Sequence, residues 1–530
     1  MGIISKIRCS AILLVFLLGL LIKLSSAEKV LLVPPPHRDS HWMALAKIGR
    51  ALVDKGHIVS VVGSENIVEK RRVKWPDFQF EVFQDQGTQA RIQQIQDQVY
   101  STAGKLPFHK LVKEFISMVE VSKQHCSLLL GDSNLVDRLR TSQHSVVISD
   151  PFFPCGAILS AHLNIRVPHI AVVMRLDPFY HDVKATGVPL PLSYVPSIWT
   201  DFTDDMTFVQ RLQNAVLSTY IPMSARRGVS RLYEELVRTY IGEEETIQSV
   251  TSRTDLWLYQ ADNVLDFPRP SMPNMVQVGG LNVRVAAPLT EDMEAFVQSA
   301  GDDGVIVVSF GSMIKTMSAE RREVFATAFA RLRQKVVWRY VGEKPTGLGN
   351  NTKLLAWLPQ NDLLAHPHFR AFVTHAGSNG IYEALHHGVP MVCLPLSGDG
   401  PSNAARVVAR GLGVKLDFST VTAEQLYQAI LHVVTNSSYQ ETAARLSRLH
   451  RDQPQSPMER AVWWIEHAIK HGRLPHLRAR AVELPWYQYY LLDVAVFLFG
   501  VCSAVLGTVW CSCSFFCRKI CCKSGANLKS

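Results

Sequence analysis

Residues 357–403 read WLPQNDLLAHPHFRAFVTHAGSNGIYEALHHGVPMVCLPLSGDGPSN and carry the clearest structural pattern in this 530-residue chain. The apolar run Phe369–Thr374 predicts a buried strand, and the residues after a short turn predict a helix that ends at about His387, before Gly388. Glycines in a turn between a strand and a helix let a ligand approach the backbone, and the helix start offers N–H groups with a partial positive charge. The segment therefore predicts a phosphate or pyrophosphate site after Gly377.

Two side chains of this segment suit a nucleotide. His375, at the strand tip, can donate a hydrogen bond to a phosphate oxygen, and Glu383, one turn into the helix, can accept from two hydroxyl groups such as those of a ribose. By pattern alone a structural interpretation stays open, because glycine-rich turns often only turn the chain and a histidine at a strand end is often structural. The chain has no P-loop, no GxGxxG after a strand and no GxSxG elbow, which argues against an NTPase, a nicotinamide enzyme and an α/β-hydrolase.

Short apolar runs rich in β-branched residues recur on both sides of this segment, each followed by turn residues and a helical pattern. The predicted strands are Lys29–Val33, Ile58–Val62, Val146–Ser149, His169–Val173, Asp255–Tyr259, Val305–Phe310, Lys335–Tyr340, Phe369–Thr374 and Met391–Leu394. Alternating strands and helices predict parallel sheets covered by helices on both faces. A stretch punctuated by Pro and Gly near residues 268–290 interrupts the series, and a break near residues 280–303 separates two groups of strands, so we predict an α/β protein of two doubly wound domains facing a cleft. Ligands of such sheets bind at the carboxyl ends of the strands.

A candidate acid–base pair lies in the N-terminal half of the chain. Ser40 is predicted to cap a helix that ends at Gly56, which places His41 at the first helical position. The helix dipole there disfavours the imidazolium, so the ring stays neutral and able to accept a proton. Asp150 ends the strand Val146–Ser149, and a carboxylate bound to the far nitrogen of a histidine fixes its tautomer and stabilises its charged form. Taken alone, a histidine near a helix start and an aspartate in a turn are ordinary features.

Residues 357–403 resemble the signature of the UDP-glycosyltransferases, specifically the animal membrane-bound family that includes the UDP-glucuronosyltransferases. The resemblance continues through HRDSHW at 37–42, SDPFFPCG at 149–156 and VVSFGS at 307–312, so it covers essentially the whole chain. It implies the GT-B fold, in which two Rossmann-like domains face a cleft and the C-terminal domain holds most of the nucleotide sugar.

The resemblance also implies roles for individual residues. His41 and Asp150 would be catalytic, with His41 as the general base that removes the acceptor proton. The residues that would bind the UDP-sugar are Ser312, Trp357, Gln360, His375, Gly377, Ser378, Asn379, Glu383 and Asp399. Within this set the tryptophan, glutamine and glutamate would contact the uridine, and the aspartate would contact the sugar. The two serines, the histidine and the asparagine would hold the diphosphate. No metal or cofactor is implied beyond the co-substrate, which would be UDP-glucuronate.

One residue departs from the family pattern. Gly400 follows Asp399 where the family usually has a glutamine that helps to hold the sugar, and a glycine offers no side-chain hydrogen bond. The resemblance implies transfer of a sugar, first of all glucuronic acid, to a hydroxyl group of a small lipophilic acceptor, with inversion. Because of Gly400, glucosyl or another hexosyl transfer stays open, as does a UDP-sugar-binding pseudoenzyme that pairs with active relatives.

The two ends of the chain predict a membrane protein. Lys and Arg exceed Asp and Glu by nine, but three bases lie in residues 1–27 and four in residues 494–530, which leaves too little positive charge in the body for a nucleic-acid partner. A basic start and the 12-residue apolar run Ala11–Ile22 predict a signal peptide over residues 1–27. The uncharged run Val494–Phe516 predicts one transmembrane helix, followed by a basic cytoplasmic tail, residues 517–530.

The predicted domains between these ends are an acceptor-binding domain over 28–285, a UDP-sugar-binding domain over 286–450, and returning helices with a juxtamembrane segment over 451–493. Three apolar stretches could line a lipophilic acceptor pocket or simply form core, namely Leu106–Met118, Met174–Val183 and Tyr194–Trp199. The resemblance implies a single-pass type I protein of the endoplasmic reticulum membrane, with lumenal catalytic domains and possible homo- or hetero-oligomers.

Cysteine usage and sequons refine this picture. Only Cys126, Cys155 and Cys393 lie in the predicted lumenal body, and this odd, sparse set predicts neither a disulfide framework nor a zinc site. Asn350 and Asn436 each begin an N-glycosylation sequon, which a lumenal location would make usable.

Overall fold

The computed structural model describes residues 27–36, 39–101, 108–163, 168–173, 183–311, 317–396 and 398–526. The described residues up to Arg478 form one compact unit, and those from Ala479 onward form a second. The predicted signal peptide, apart from Ala27, lies outside the described residues, as do Ser312 and residues 174–182 of one predicted acceptor stretch.

Two parallel sheets organise the first unit. One has the spatial order β3-β2-β1-β4-β5-β6-β7 and consists of β1 (Lys29–Val33), β2 (Ile58–Ser64), β3 (Gln79–Phe83), β4 (Val146–Ser149), β5 (His169–Val173), β6 (Leu256–Tyr259) and β7 (Met275–Gln277). The other has the order β10-β9-β8-β11-β12-β13 and consists of β8 (Val305–Ser309), β9 (Lys335–Arg339), β10 (Thr352–Leu355), β11 (Phe369–Thr374), β12 (Met391–Cys393) and β13 (Gly413–Lys415). All nine predicted strands are confirmed within two residues of their predicted bounds.

Helices connect the strands and cover both sheets. The helices that precede β8 are α1 (Asp39–Asp54), α2 (Glu65–Lys74), α3 (Thr88–Ser101), α4 (Phe108–Gly131), α5 (Ser133–Thr141), α6 (Cys155–His162), α7 (Val183–Thr186), α8 (Phe208–Tyr240), α9 (Ile247–Thr251) and α10 (Glu291–Gln298). Those that follow it in the first unit are α11 (Ala319–Ala330), α12 (Gln360–Ala365), α13 (Ser378–His387), α14 (Gly400–Ala409), α15 (Ala423–Thr435), α16 (Ser437–Arg451) and α17 (Pro457–His471).

The first sheet is buried on both faces. Val30 and Leu32 of β1 pack into the core that includes α1, whereas Leu31 and Val33 pack into the core that includes α6, because successive residues of a strand point to opposite faces. Helix α17 completes the former core with Ile465 and its neighbours, so the chain returns from the second sheet to the first. The boundary at 285/286 falls between β7 and α10 and stays a prediction.

Helix α1 differs from its predicted bounds. It begins at Asp39, so Ser40 lies within the first turn instead of capping it, and it ends at Asp54 rather than Gly56. Helix starts are the least certain part of a sequence pattern, because any polar residue near the first turn can serve as a cap. His41 remains in the first turn, where the helix dipole acts.

The predicted absence of disulfides is wrong. Cys126 in α4 and Cys155 at the start of α6 form a disulfide, with Cα atoms 5.6 Å apart. The odd cysteine count is explained by Cys393, which is buried in β12 with a reduced thiol. The disulfide ties α4 to the segment directly after Asp150.

The second unit contains α18 (Trp486–Tyr489) and α19 (Leu492–Ala526). Within α19, residues Leu492–Lys519 form a segment that is long and apolar enough to cross a membrane, and its most apolar window has a mean hydropathy of 2.2. This segment contains the predicted span Val494–Phe516, and none of its most apolar window is buried in protein.

Candidate active site

Both predicted catalytic residues lie where the strand order of the first sheet reverses, between β1 and β4. His41 is in the first turn of α1, which follows β1, and Asp150 directly follows β4. Nδ1 of His41 lies 2.5 Å from Oδ2 of Asp150, and the two side chains are 12% and 3% exposed. The other carboxylate oxygen accepts a hydrogen bond from the backbone N–H of Phe152 at 2.8 Å. Asp150 is thereby held at one edge of the ring, and Nε2 at the other edge is the atom left to take a proton.

Two aromatic side chains, Phe152 and Phe115, lie next to this pair. The ring of Phe152 meets that of His41 edge-on, with centroids 6.1 Å apart, and Phe115 meets Phe152 edge-on at 6.4 Å. Phe115 belongs to α4 and to the predicted acceptor stretch Leu106–Met118. An apolar surface next to the predicted general base is the kind of surface that a lipophilic acceptor needs.

The second sheet reverses its order between β8 and β11, and the predicted donor loop lies there. The ring of His375, which follows β11, lies against Gly311 after β8 and against Gly377. A Cβ atom at Gly311 would come within 2.7 Å of this ring, and one at Gly377 within 2.4 Å. These two glycines therefore make room for the ring of His375. From the sequence pattern, the glycines of this turn were expected to make room for a ligand.

The loop after β11 holds buried polar atoms that are equipped to bind a ligand. Nδ1 of His375 and Oγ of Ser378 have no hydrogen-bond partner among the residues that the structure describes, whereas buried polar groups are normally paired. Burial lowers the pKa of His375, which keeps the ring mostly neutral at pH 7. Ala376 is fully buried with a left-handed φ of 62°, and strained backbone of this kind concentrates at functional sites. The N–H groups of α13 begin directly after this loop.

The residues predicted to bind uridine lie beside the same helix. Nε2 of Gln360 donates to Oε2 of Glu383 at 2.6 Å. Burial raises the pKa of Glu383, and the hydrogen bond from Gln360 opposes that rise. Trp357 is 68% exposed, and an exposed aromatic face of this size can stack on a planar base.

Arg339 is a site residue that the sequence analysis missed. It ends β9, its guanidinium donates to the carbonyl of Gly311, and it lies 5.2 Å from the ring centroid of Trp357. Its Nε is buried without a hydrogen-bond partner in the described part of the chain. A cation held beside the loops after β8 and β11 attracts phosphate groups. The one feature of the sequence that could have indicated Arg339 is its position at the carboxyl end of a predicted strand, β9, which lies next to β8.

Asp399 joins this site through Asn403. Nδ2 of Asn403 donates to Oδ2 of Asp399 at 2.7 Å and to the carbonyl of Ala376 at 2.9 Å, which ties the predicted sugar-binding carboxylate to the donor loop. Gly400 is buried at the start of α14, and a Cβ atom there would lie 3.1 Å from the carbonyl oxygen of His375. A side chain at this position would therefore press on the donor loop by a few tenths of an ångström.

The predicted site residues thus form two groups, the pair at the first sheet and a set around the start of α13. The second group consists of Trp357, Gln360, His375, Gly377, Ser378, Asn379, Glu383 and Asp399. Within the described ranges no group of three or more His, Cys, Asp or Glu side chains could hold a metal ion.

The chain is similar over almost its full length to known proteins. Residues 28–527 match the family model described as "UDP-glucoronosyl and UDP-glucosyl transferase". UDP-glucuronosyltransferase 2C1 of Oryctolagus cuniculus is 39% identical over 498 residues, which is 92% of this chain and 98% of the relative. UDP-glucuronosyltransferase 1-2 of Rattus norvegicus is 38% identical over 511 residues, or 95% of this chain and 94% of the relative.

Solved structures share the fold at low sequence identity. The glycosyltransferase of kitacinnamycin has a TM-score of 0.58 at 19% identity and covers 84% of this chain and 99% of its own. The calicheamicin glycosyltransferase CalG4 has a TM-score of 0.54 at 16% identity, with the same coverage of 84% and 99%. Together with the two parallel sheets, these neighbours confirm the predicted GT-B fold.

Proposed function

This chain belongs to the family of UDP-glucuronosyl and UDP-glucosyl transferases, and from that membership we propose that it transfers glucuronic acid from UDP-glucuronate to a hydroxyl group of a small lipophilic acceptor. Use of a UDP-sugar follows from the family itself. The choice of glucuronate is supported by relatives that are named glucuronosyltransferases and cover nearly the whole chain. The observation that carries the chemistry is the 2.5 Å contact between His41 and Asp150.

The acceptor is activated by His41. Asp150 accepts a hydrogen bond from the N–H at Nδ1, so the ring proton stays on Nδ1 and Nε2 carries the lone pair. Nε2 takes the acceptor proton as the acceptor oxygen attacks the anomeric carbon. The new bond to the anomeric carbon forms on the face opposite the bond to UDP, so the configuration inverts. The bond to UDP breaks, and its electron pair leaves with the diphosphate. The carboxylate of Asp150 stabilises the imidazolium produced in this step.

The leaving diphosphate is stabilised by groups that are fixed in advance. The first turn of α13 offers its N–H groups, with Ser378 and Asn379 beside them, and Arg339 adds a positive charge. Trp357 stacks on the uracil, and Glu383, oriented by Gln360, accepts hydrogen bonds from the ribose hydroxyls. No step in this scheme needs a metal ion.

Gly400 favours a second candidate, transfer of glucose or another hexose. The position next to Asp399 carries no side chain that could bind the sugar, so donor choice rests on fewer hydrogen bonds. One assay separates the candidates. Microsomes that express the protein are incubated with a promiscuous phenol and each of several UDP-sugars, and the product mass identifies the sugar. A protein that binds UDP but forms no product across a broad acceptor panel would instead be the pseudoenzyme.

The apolar helix at the C-terminus supports a membrane anchor. We propose that this anchor holds the catalytic unit on the lumenal side of the endoplasmic reticulum, as in a type I protein with a cleaved signal peptide. Sensitivity of the expressed protein to endoglycosidase H, lost when Asn350 and Asn436 are both replaced by Gln, tests this location.

A further inference from the structure

Asn282 connects the donor loop to the helix that carries the candidate base. It lies between β7 and α10 and is 6% exposed. Its Nδ2 donates to Oδ1 of Asn379 at 2.8 Å. Its backbone carbonyl accepts a hydrogen bond from Nζ of Lys47. Lys47 belongs to α1, about 9 Å along the helix axis from His41 at ~1.5 Å per residue.

The segment that carries Asn282 is fixed on both sides. Two residues later, the carbonyl of Arg284 accepts from Nδ2 of Asn361 at 3.0 Å, and its guanidinium pairs with Asp362 at 2.5 Å. Lys47 is also attracted by the carboxylate of Glu383 on α13. The backbone around Asn282 is thus held in place by α1 and α12, which sets its side chain beside Asn379; Oδ1 of Asn282 is buried without a hydrogen-bond partner among the described residues.

The hydrogen bond from Asn282 to Asn379 has a chemical consequence at the donor site. An asparagine amide has one accepting and one donating end, and the bond from Asn282 engages the accepting end of Asn379. The NH2 group of Asn379 therefore points away from Asn282 and is available to a diphosphate, which only accepts hydrogen bonds. We propose that Asn282 is a positioning residue for the donor, which holds the Asn379 amide in the orientation that binds the diphosphate of UDP. This inference rests on the proposed function.

The variant Asn282→Asp tests it by reversing the polarity of the contact. The carboxylate that this substitution introduces would accept from Asn379, so the Asn379 amide would turn its oxygen towards the diphosphate and repel it. Calorimetry on the full-length protein in detergent should show UDP binding weakened about tenfold or more, with uridine binding changed less than about twofold. If Asn282→Asp does not fold, Asn282→Ala removes the donor alone and should weaken UDP about threefold, again without affecting uridine. The exposed control Asn66→Asp should change neither ligand.

A double variant separates positioning from a general structural effect. If Asn282 acts through Asn379, the pair Asn282→Asp/Asn379→Ala should bind UDP as weakly as Asn379→Ala alone. Equal losses for UDP and uridine, additive losses in the double variant, or no loss at all would overturn the inference while leaving the proposed function intact. Failure of the unmodified protein to bind UDP would overturn the proposed function and this inference with it.

Discussion

Nδ1 of His41 lies 2.5 Å from Oδ2 of Asp150, although the two residues are 109 positions apart in the chain. They meet because β1 and β4 are adjacent parallel strands, in which Val33 pairs with Ser149, so the residues after both strands leave the sheet at the same edge. The second sheet repeats this arrangement, since β8 and β11 are also adjacent and lead into the loops that contain Gly311 and His375. Each sheet thus places one half of the candidate site at the point where its strand order reverses.

Removal of the imidazole should abolish turnover and spare the donor. We expect His41→Ala to show no detectable product, with the Kd for UDP changed less than about twofold, because the residues proposed to bind UDP lie at the second sheet. Product formation and calorimetry measure the two quantities. His476→Ala, which alters an exposed histidine, should leave both unchanged. Loss of UDP binding in His41→Ala would contradict this separation of roles.

The carboxylate should act by setting the tautomer of the ring. Asn at position 150 keeps the size of Asp150 but can donate to Nδ1 of His41, which moves the ring proton to the nitrogen that has to accept one. We therefore expect Asp150→Asn to lower kcat on the order of 10³- to 10⁴-fold, with little change in the KM for the donor. Steady-state kinetics decides this, and a loss below about tenfold would show that another group fixes the tautomer.

The strands that the sequence did not predict share one property: β3, β7, β10 and β13 are the four edge strands of the two sheets. A central strand of a parallel sheet is buried on both faces and therefore reads as a continuous apolar run. An edge strand is covered less completely, as in β10, where every residue is partly exposed, and its sequence need not be apolar throughout. The fold class could be predicted because the central strands alone define two parallel sheets.

The site residues likewise divide into those that a local sequence pattern indicates and those that it does not. His41, Asp150 and the donor loop stand in local patterns at strand ends, and these patterns are visible in the sequence. Asn282 belongs to no motif and lies at no strand end, and Arg339 lies at a strand end but belongs to no motif. Their contacts with elements far apart in the chain could not be predicted from local patterns. The disulfide escaped prediction for the same reason, since an odd count of three cysteines does not reveal which two the fold brings together.

Mild acid should destabilise the protein. Burial lowers the pKa of His169 to about 3 and the pKa values of His386 and His387 to about 4. Because these values lie below the ordinary value of about 6.5, the unfolded state binds more protons, and stability is lost as pH falls below that value. At pH 5, the protonation of His169 in the unfolded state alone should lower the free energy of unfolding by about 2 kcal/mol relative to neutral pH.

Thermal melts at pH 7, 6 and 5 check this expectation. Tm should fall at each step, and His386→Gln should make the dependence shallower, because it removes one of the titrating groups. A Tm that is constant over this range would mean that the three rings are protonated equally in the folded and unfolded states.

The disulfide should contribute substantially to stability. It closes a loop of 29 residues between Cys126 and Cys155, so the double variant Cys126→Ala/Cys155→Ala should lose about 3 kcal/mol of unfolding free energy. Dithiothreitol should lower the Tm of the unmodified protein towards that of the variant and leave the variant unchanged, which makes the variant its own control. A Tm of the unmodified protein that does not respond to reduction at elevated temperature would argue against the bond.

Position 400 should set the choice of donor, and two substitutions separate space from hydrogen bonding. A Cβ atom at Gly400 would lie 3.1 Å from the carbonyl oxygen of His375, so Gly400→Ala measures the cost of displacing the donor loop. Gly400→Gln introduces the same Cβ atom and adds an amide beside Asp399. We expect kcat/KM for the preferred UDP-sugar to be about tenfold higher in Gly400→Gln than in Gly400→Ala, as one well-formed hydrogen bond of about 1.4 kcal/mol would give. The ratio between UDP-sugars should also sharpen, because a glutamine that has lost its partner hydroxyl is left unpaired with the wrong donor. Identical donor profiles in the two variants would mean that sugar choice is made elsewhere in the site.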